Sequence, residues 1–184
     1  KFIFQPAEEG APPGETGGAS LMVKEGVLQN PRPAAIFGLH TFSEMPVGEL
    51  GYSEGPAMSA ADTWEVKITG RQSHGARPEL SIDPIVTAAQ FVEALQTIRS
   101  RTFSGYEPGV VTVGTIHGGQ RHNIIPGEVT LSGTIRTFRS ELSTLAEARL
   151  RAILKGITEA AGARGGVTRC GRGAPATPPD AVQP

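Results

Sequence analysis

Thr63-Trp64-Glu65-Val66-Lys67-Ile68-Thr69 alternates polar and apolar residues with a period of two. Trp64, Val66 and Ile68 therefore share one face of a half-buried strand. The succession of elements after this strand decides the fold. Ser73 to Leu80 reads as a loop, and Asp83-Pro84 then supplies a helix N-cap with proline at the first helical position. Ile85, Ala89, Val92, Leu95 and Ile98 recur at helical spacing and form one apolar face. A second strand is expected over about Val110 to Ile116, ended by Gly118-Gly119. A third is expected where Val129, Leu131, Gly133 and Ile135 alternate with Thr130, Ser132, Thr134 and Arg136. Leu142, Ala146, Leu150, Ile153 and Ile157 mark a second helix, with Ser140 as cap and Gly162 just past its end. Gly166 to Cys170 reads as a short fourth strand. The order is β-α-β-β-α-β, the ferredoxin-like arrangement, in which two helices cover one sheet face.

The pattern ahead of Pro56 is different. Lys1 to Phe4 reads as the end of a buried strand, Gly18 to Leu28 as a helix stopped by Pro31 and Pro33, and Ala34 to Leu39 as a second buried strand ending at His40. Strand, helix, strand is a βαβ unit and implies a parallel sheet. The expected class is α/β, divided into a partial domain over 1–57, a ferredoxin-like domain over 58–170 and, over 171–184, a Pro-rich segment without periodicity that is expected to lead back into the first domain.

Composition narrows the function classes. The 184 residues carry 17 Lys and Arg against 18 Asp and Glu, a net charge of -1. That balance gives no electrostatic footprint for nucleic acid. No apolar run approaches the roughly 18 residues needed to span a bilayer, and Lys1-Phe2-Ile3-Phe4-Gln5-Pro6 lacks the zones of a signal peptide. A cytoplasmic protein is expected, with neither nucleic acid nor membrane as partner. A single cysteine, Cys170, excludes an internal disulfide framework and a four-cysteine zinc site. It reads as a small buried strand residue.

Several polar residues stand where chemistry is done. Glu8-Glu9 follow one expected strand, and His40 ends the other. Ligands of open α/β sheets bind beyond the carboxyl ends of strands, so one rim would receive two carboxylates and an imidazole. Adjacent side chains diverge on extended backbone; one glutamate can hold a metal while its neighbour serves as general base. Two solvated loop glutamates and a lone histidine fit the same spacing, because paired glutamates are common on surfaces. His74, in Ser73-His74-Gly75-Ala76-Arg77-Pro78, sits in the kind of loop where histidines are more often exposed than catalytic. His117, His122 and Asn123 flank Gly118-Gly119-Gln120-Arg121, which also reads as a polar hairpin turn. Arg136 stands on the strand face opposite Leu131 and Ile135.

The joint pattern is more specific than its parts. Gln5-Pro6-Ala7-Glu8-Glu9-Gly10, Phe37-Gly38-Leu39-His40, Gly70 to Pro78 with His74-Gly75-Ala76, Ile82-Asp83-Pro84, Asn123-Ile124-Ile125-Pro126 and Gly133-Thr134-Ile135-Arg136-Thr137-Phe138 occur in this order. This resembles the M20 metallopeptidase family, in the amidohydrolase branch of hippurate hydrolases, N-acyl-amino-acid hydrolases and auxin-conjugate hydrolases. The resemblance implies a catalytic domain with a two-metal centre holding Zn, Mn, Co or Ni, and an inserted lid of ferredoxin-like topology that mediates homodimerisation. It implies Glu8 as general base, Glu9 and His40 as metal ligands, His74 as a lid residue holding the substrate carbonyl or carboxylate across a dimer, and Asn123 and Arg136 near the substrate. The substrate would be an N-acyl amino acid or a peptide-like amide. A cysteine-containing metal motif would precede Lys1 and a last histidine ligand would follow Pro184, so the chain is expected to be an internal piece, inactive alone. Two other readings fit: a non-catalytic ferredoxin-like dimerisation or ligand-binding module, and an M20 peptidase of another branch.

Overall fold

The computed structural model describes residues 1–8, 11–12, 15, 17–52 and 54–171. Residues 172–184 of the expected return segment lie outside the described residues. The chain divides into two compact units, Lys1–Leu50 and Gly51–Pro184.

In the first unit, helix α1 (Gly18–Lys24) is shorter than its apolar pattern predicts. Gly26, at φ +83, turns the chain out of the helix, and Val27 N–H donates back to Met22 O at 2.9 Å. Lys1 Nζ donates to Val27 O and Asn30 O at 2.7 and 2.8 Å. The expected βαβ unit does not form: Lys1–Phe4 and Ala34–Leu39 carry no strand. A strand exists only through its ladder, and neither segment has one among the described residues. Their apolar side chains stay in solvent, Phe2 at 91% and Phe37 at 93% exposure.

The second unit has the expected ferredoxin-like topology. Its strands are β1 (Ala60–Thr69), β3 (Gly109–Gly118), β5 (Glu128–Thr137) and β6 (Arg164–Gly171), with helix α2 (Pro84–Leu95) after β1 and helix α3 (Ser140–Ala160) after β5. A short ribbon, β2 (Ser73–His74) with β4 (Ile124–Ile125), stands outside the main sheet. The main sheet runs β3-β5-β1-β6 with every pairing antiparallel. Burial along β1 alternates as its sequence requires: Ala60, Trp64, Val66 and Ile68 are buried, and Ala61, Thr63 and Glu65 are exposed. Asp62, on the buried face at 3% exposure, accepts a hydrogen bond from Ser143 Oγ of α3. Burying a carboxylate without such a partner is costly.

The core lies between the sheet and the two helices. Trp64 meets Phe91 edge-on, with centroids 6.2 Å apart at 83°, and Leu95, Ile98, Leu131, Ile135, Leu150 and Leu154 close around them. Asp83 caps α2 as expected, its Oδ1 accepting from Ile85 N–H at 2.8 Å and Val86 N–H at 3.3 Å. Ser140 does not cap α3; it is the first helical residue, after Arg139. Gly162, at φ +69, ends α3: Gly162 and Ala163 donate to Glu159 O and Thr158 O at 3.1 and 2.8 Å. These two bonds satisfy carbonyls that the last turn leaves open.

Candidate functional site

The stretch from Ser73 to Leu80 is more ordered than the loop its sequence suggests. It forms β2 and then a single 3-10 turn, Pro78–Leu80. Ser73 pairs with Ile125 and His74 with Ile124. Gly75 N–H donates to Asn123 O at 2.7 Å, and a Cβ on Gly75 would lie 3.1 Å from that oxygen, so glycine permits the approach. His74 and Asn123, 49 positions apart in the sequence, are thereby held at one place. The ribbon's signal was Ile124-Ile125-Pro126, a β-branched pair ended by proline, too short to show a period.

The local bonding fixes the chemistry of the ring. Ala76 N–H donates to His74 Nδ1 at 3.1 Å. An amide can only donate, so Nδ1 carries the lone pair and the neutral imidazole holds its proton on Nε2. His74 is exposed, and it presents an N–H donor to whatever faces it. His40, in the first unit, has the opposite arrangement. Its Nδ1–H donates to Thr41 O at 2.8 Å, and its ring lies 4.7 Å from that of Phe42. The lone pair is therefore on Nε2, the form in which a second-site hydrogen bond orients an imidazole as a metal ligand.

Glu8 ends the turn Pro6–Glu8, which is tied to the start of α1 by Gly18 N–H donating to Pro6 O at 2.9 Å. Ala7, immediately before it, has φ 51, a left-handed value that costs energy in a non-glycine residue. Glu9 lies outside the described residues. Among the described residues no group of three His, Cys, Asp or Glu could hold a metal. The donor chemistry of His40 fits a divalent ion as one ligand of a larger set.

Asn123 and Arg136 are not brought together within one chain. Asn123 lies at the β2/β4 end of the sheet, where Gly70 N–H donates to Gly127 O at 2.8 Å. Arg136 pairs with Ala61 on one side and Val110 on the other, at the opposite end. From Glu128 to Arg136 along β5, at about 3.3 Å per residue, is about 26 Å. Neither side chain has a hydrogen-bond or ion-pair partner among the described residues. Cys170 is half-buried on β6; burial pushes its thiol up from the ordinary value, and the nearby Glu147 carboxylate adds to the effect.

Residues 59–165 match the Peptidase dimerisation domain family. The chain is 38% identical over 164 residues to an N-acetylcysteine deacetylase of Bacillus subtilis, covering 89% of this chain and 41% of that protein. It is 41% identical over 163 residues to an N-acyl-L-amino acid amidohydrolase of Geobacillus stearothermophilus, covering 89% and 42%. A solved Bacillus subtilis structure, a dinuclear metal binding peptidase from the M20 family, superposes with a TM-score of 0.72 at 32% identity, over 98% of this chain and 42% of that one. The chain thus spans about two fifths of the length of the relatives it matches.

Proposed function

The chain belongs to the M20 peptidase family, whose dimerisation domain it carries over residues 59–165, and from that premise we propose that it serves a metal-dependent amidohydrolase cleaving N-acyl amino acids to a carboxylic acid and an amino acid. The observation that carries the reading is the bond from Ala76 N–H to His74 Nδ1, which leaves an outward N–H donor on a paired ribbon beside Asn123. Donors fixed in advance toward a carbonyl oxygen that gains negative charge are usually the largest single contribution to amide hydrolysis.

In this reading Glu8 takes a proton from the attacking water and returns it to the departing nitrogen. His74 Nε2–H donates to the carbonyl oxygen as charge builds on it. Asn123 and Arg136 hold the substrate carboxylate. Glu9 and His40 are metal ligands, and a divalent pair, when bound, supplies Lewis-acid polarisation and a more acidic water.

The geometry of the sheet adds one requirement. Arg136 lies about 26 Å along β5 from Glu128, the end beside which the His74 ribbon stands, so in this reading His74 and Arg136 serve one small substrate from two subunits. Strand β3 offers the means. It lies at the sheet edge, with Val110 and Ile116 at 53% and 52% exposure, and has no proline or charge from Val110 to Ile116. An unpaired edge of this kind is a template for another strand. Antiparallel pairing of two β3 strands about a two-fold axis carries the Val110 end of one subunit, with Arg136 beside it, to the His117 end of the other. The test is hydrolysis of N-acetyl and N-benzoyl amino acids by the complete enzyme with added divalent metal. Metal-dependent release of free amino acid supports the reading; a metal-loaded dimer that cleaves none of them favours a non-catalytic module.

A further inference from the structure

A groove of about 690 Å³ lies against the ribbon that carries His74. Its walls include Gln72, His117, Gln120, Arg121, Ile124 and Thr130, with the Gly118-Gly119 turn between them. Ile124 is the cross-strand partner of His74, and directly opposed side chains of an antiparallel pair share a face. The groove therefore opens on the same face of the ribbon as the His74 ring. Gly118 and Gly119 keep one wall free of side chains. A Cβ on Gly118 would meet Val129 Cγ2 at 2.6 Å, and Gly119 has φ +80.

The lining is polar, and Arg121 is its one donor-only side chain. Arg121 is exposed, and its guanidinium has no carboxylate or carbonyl partner among the described residues. Gln72 and Gln120 bring side-chain amides, Thr130 a hydroxyl, and His117 a ring nitrogen. The one acid of the lining, Glu128, pairs with Lys67 Nζ at 2.6 Å, which offsets part of its charge. An unpartnered guanidinium with amides and a hydroxyl that can donate nearby, beside Ile124 and Pro126, suits a carboxylate at the end of a short apolar stem.

Building on the amidohydrolase reading, we infer that this groove is a specificity pocket: it takes a second, distal carboxylate of the substrate, with Arg121 as the residue that recognises it. The α-carboxylate and the scissile amide stay with the groups already assigned. Substrates with an acidic side chain or a dicarboxylic acyl group bind in preference to apolar ones of equal length.

The test is calorimetric binding to the complete, metal-loaded enzyme carrying Glu8→Gln, with N-acetylglutamate and N-acetylmethionine as probes of similar length and different end groups. N-acetylglutamate binds more tightly, and adding Arg121→Ala weakens it about tenfold or more while N-acetylmethionine binding changes less than about twofold. Adding Arg121→Lys restores part of the loss, because the charge returns without the planar fork. Equal effects of Arg121→Ala on both probes, or none on N-acetylglutamate, overturn the pocket. Hydrolysis of the two compounds by the unsubstituted enzyme is measured separately. Arg121-dependent binding without hydrolysis of either would sink the amidohydrolase reading and leave the pocket standing.

Discussion

A Cβ on Gly133 would stand 2.5 Å from Cζ2 of Trp64 and would also run into the carbonyl oxygen of Thr112. Gly133 is opposite Trp64 in the β1/β5 register and opposite Val113 in the β3/β5 register. The indole occupies the volume a side chain would need. Gly133→Ala forces the strand or the ring to move, and overpacking of this kind costs about 1–3 kcal/mol or more. Chemical denaturation should show a lower midpoint with an unchanged slope. A midpoint equal to that of the parent would show that both the ring and the β3 backbone at Thr112 yield without cost.

Glu8 and His40 should separate in their effects. In the complete enzyme, Glu8→Gln keeps its metal and loses turnover by about 10²–10⁴-fold, the usual contribution of a general base. His40→Ala loses metal. Metal analysis beside steady-state rates decides it, and comparable metal loss in both variants contradicts the division of roles.

His74 and Arg136 offer a subunit test. His74→Ala and Arg136→Ala should each depress turnover when every subunit carries the change. After unfolding and co-refolding of the two variants, a heterodimer contains one site with both residues intact, so a random mixture regains about a quarter of the parental activity. No regain above the separate variants would mean that both residues act from one chain, and the two-subunit arrangement fails.

The edge strand gives an assembly test. The carbonyl of Thr112 lies against Gly133 of β5, so the backbone groups of Thr112 face inward and those of its neighbour Val113 face the open edge. Val113→Pro removes a donor from that edge and blocks pairing there. The variant should sediment as a monomer with a circular dichroism spectrum like that of the parent. A folded Val113→Pro protein that remains a dimer would place the contact elsewhere.

Cys170 should alkylate slowly. Its thiol pKa is raised by burial first and by Glu147 second, so at any pH below that raised value less thiolate is present than on an unperturbed cysteine. The thiolate is the reactive form. The iodoacetamide rate should therefore rise with pH along a curve displaced to higher pH than that of the same protein unfolded. Coincident curves would refute the shift.

The fold was legible wherever a segment stated its own period. β1 and β5 alternate, α2 and α3 repeat along an apolar face, and Asp83-Pro84 and Gly162 punctuate the helices. Those signals are local, and the sheet order followed from them. The βαβ reading of the first unit failed on a non-local quantity, since an apolar run such as Ala34–Leu39 becomes a strand only beside a partner. The ribbon of β2 and β4 was illegible for a different reason: two residues cannot display a period of two. For the site, motif order proposes residues but carries no distances. Asn123 and Arg136, 13 positions apart, look like neighbours in the sequence and lie at opposite ends of the sheet.

That separation gives the length of β5 a meaning outside stability. If two subunits share each substrate across paired edges, the span from Glu128 to Arg136 is a ruler, and the two-fold axis lays two such rulers head to tail. Removing two residues from β5 together with two from β3 would preserve the alternation of buried and exposed faces. It would still draw each guanidinium about 7 Å along the strand from the imidazole it must meet. Sheet dimensions that a folding argument would leave free to drift are then held fixed by the size of a small molecule.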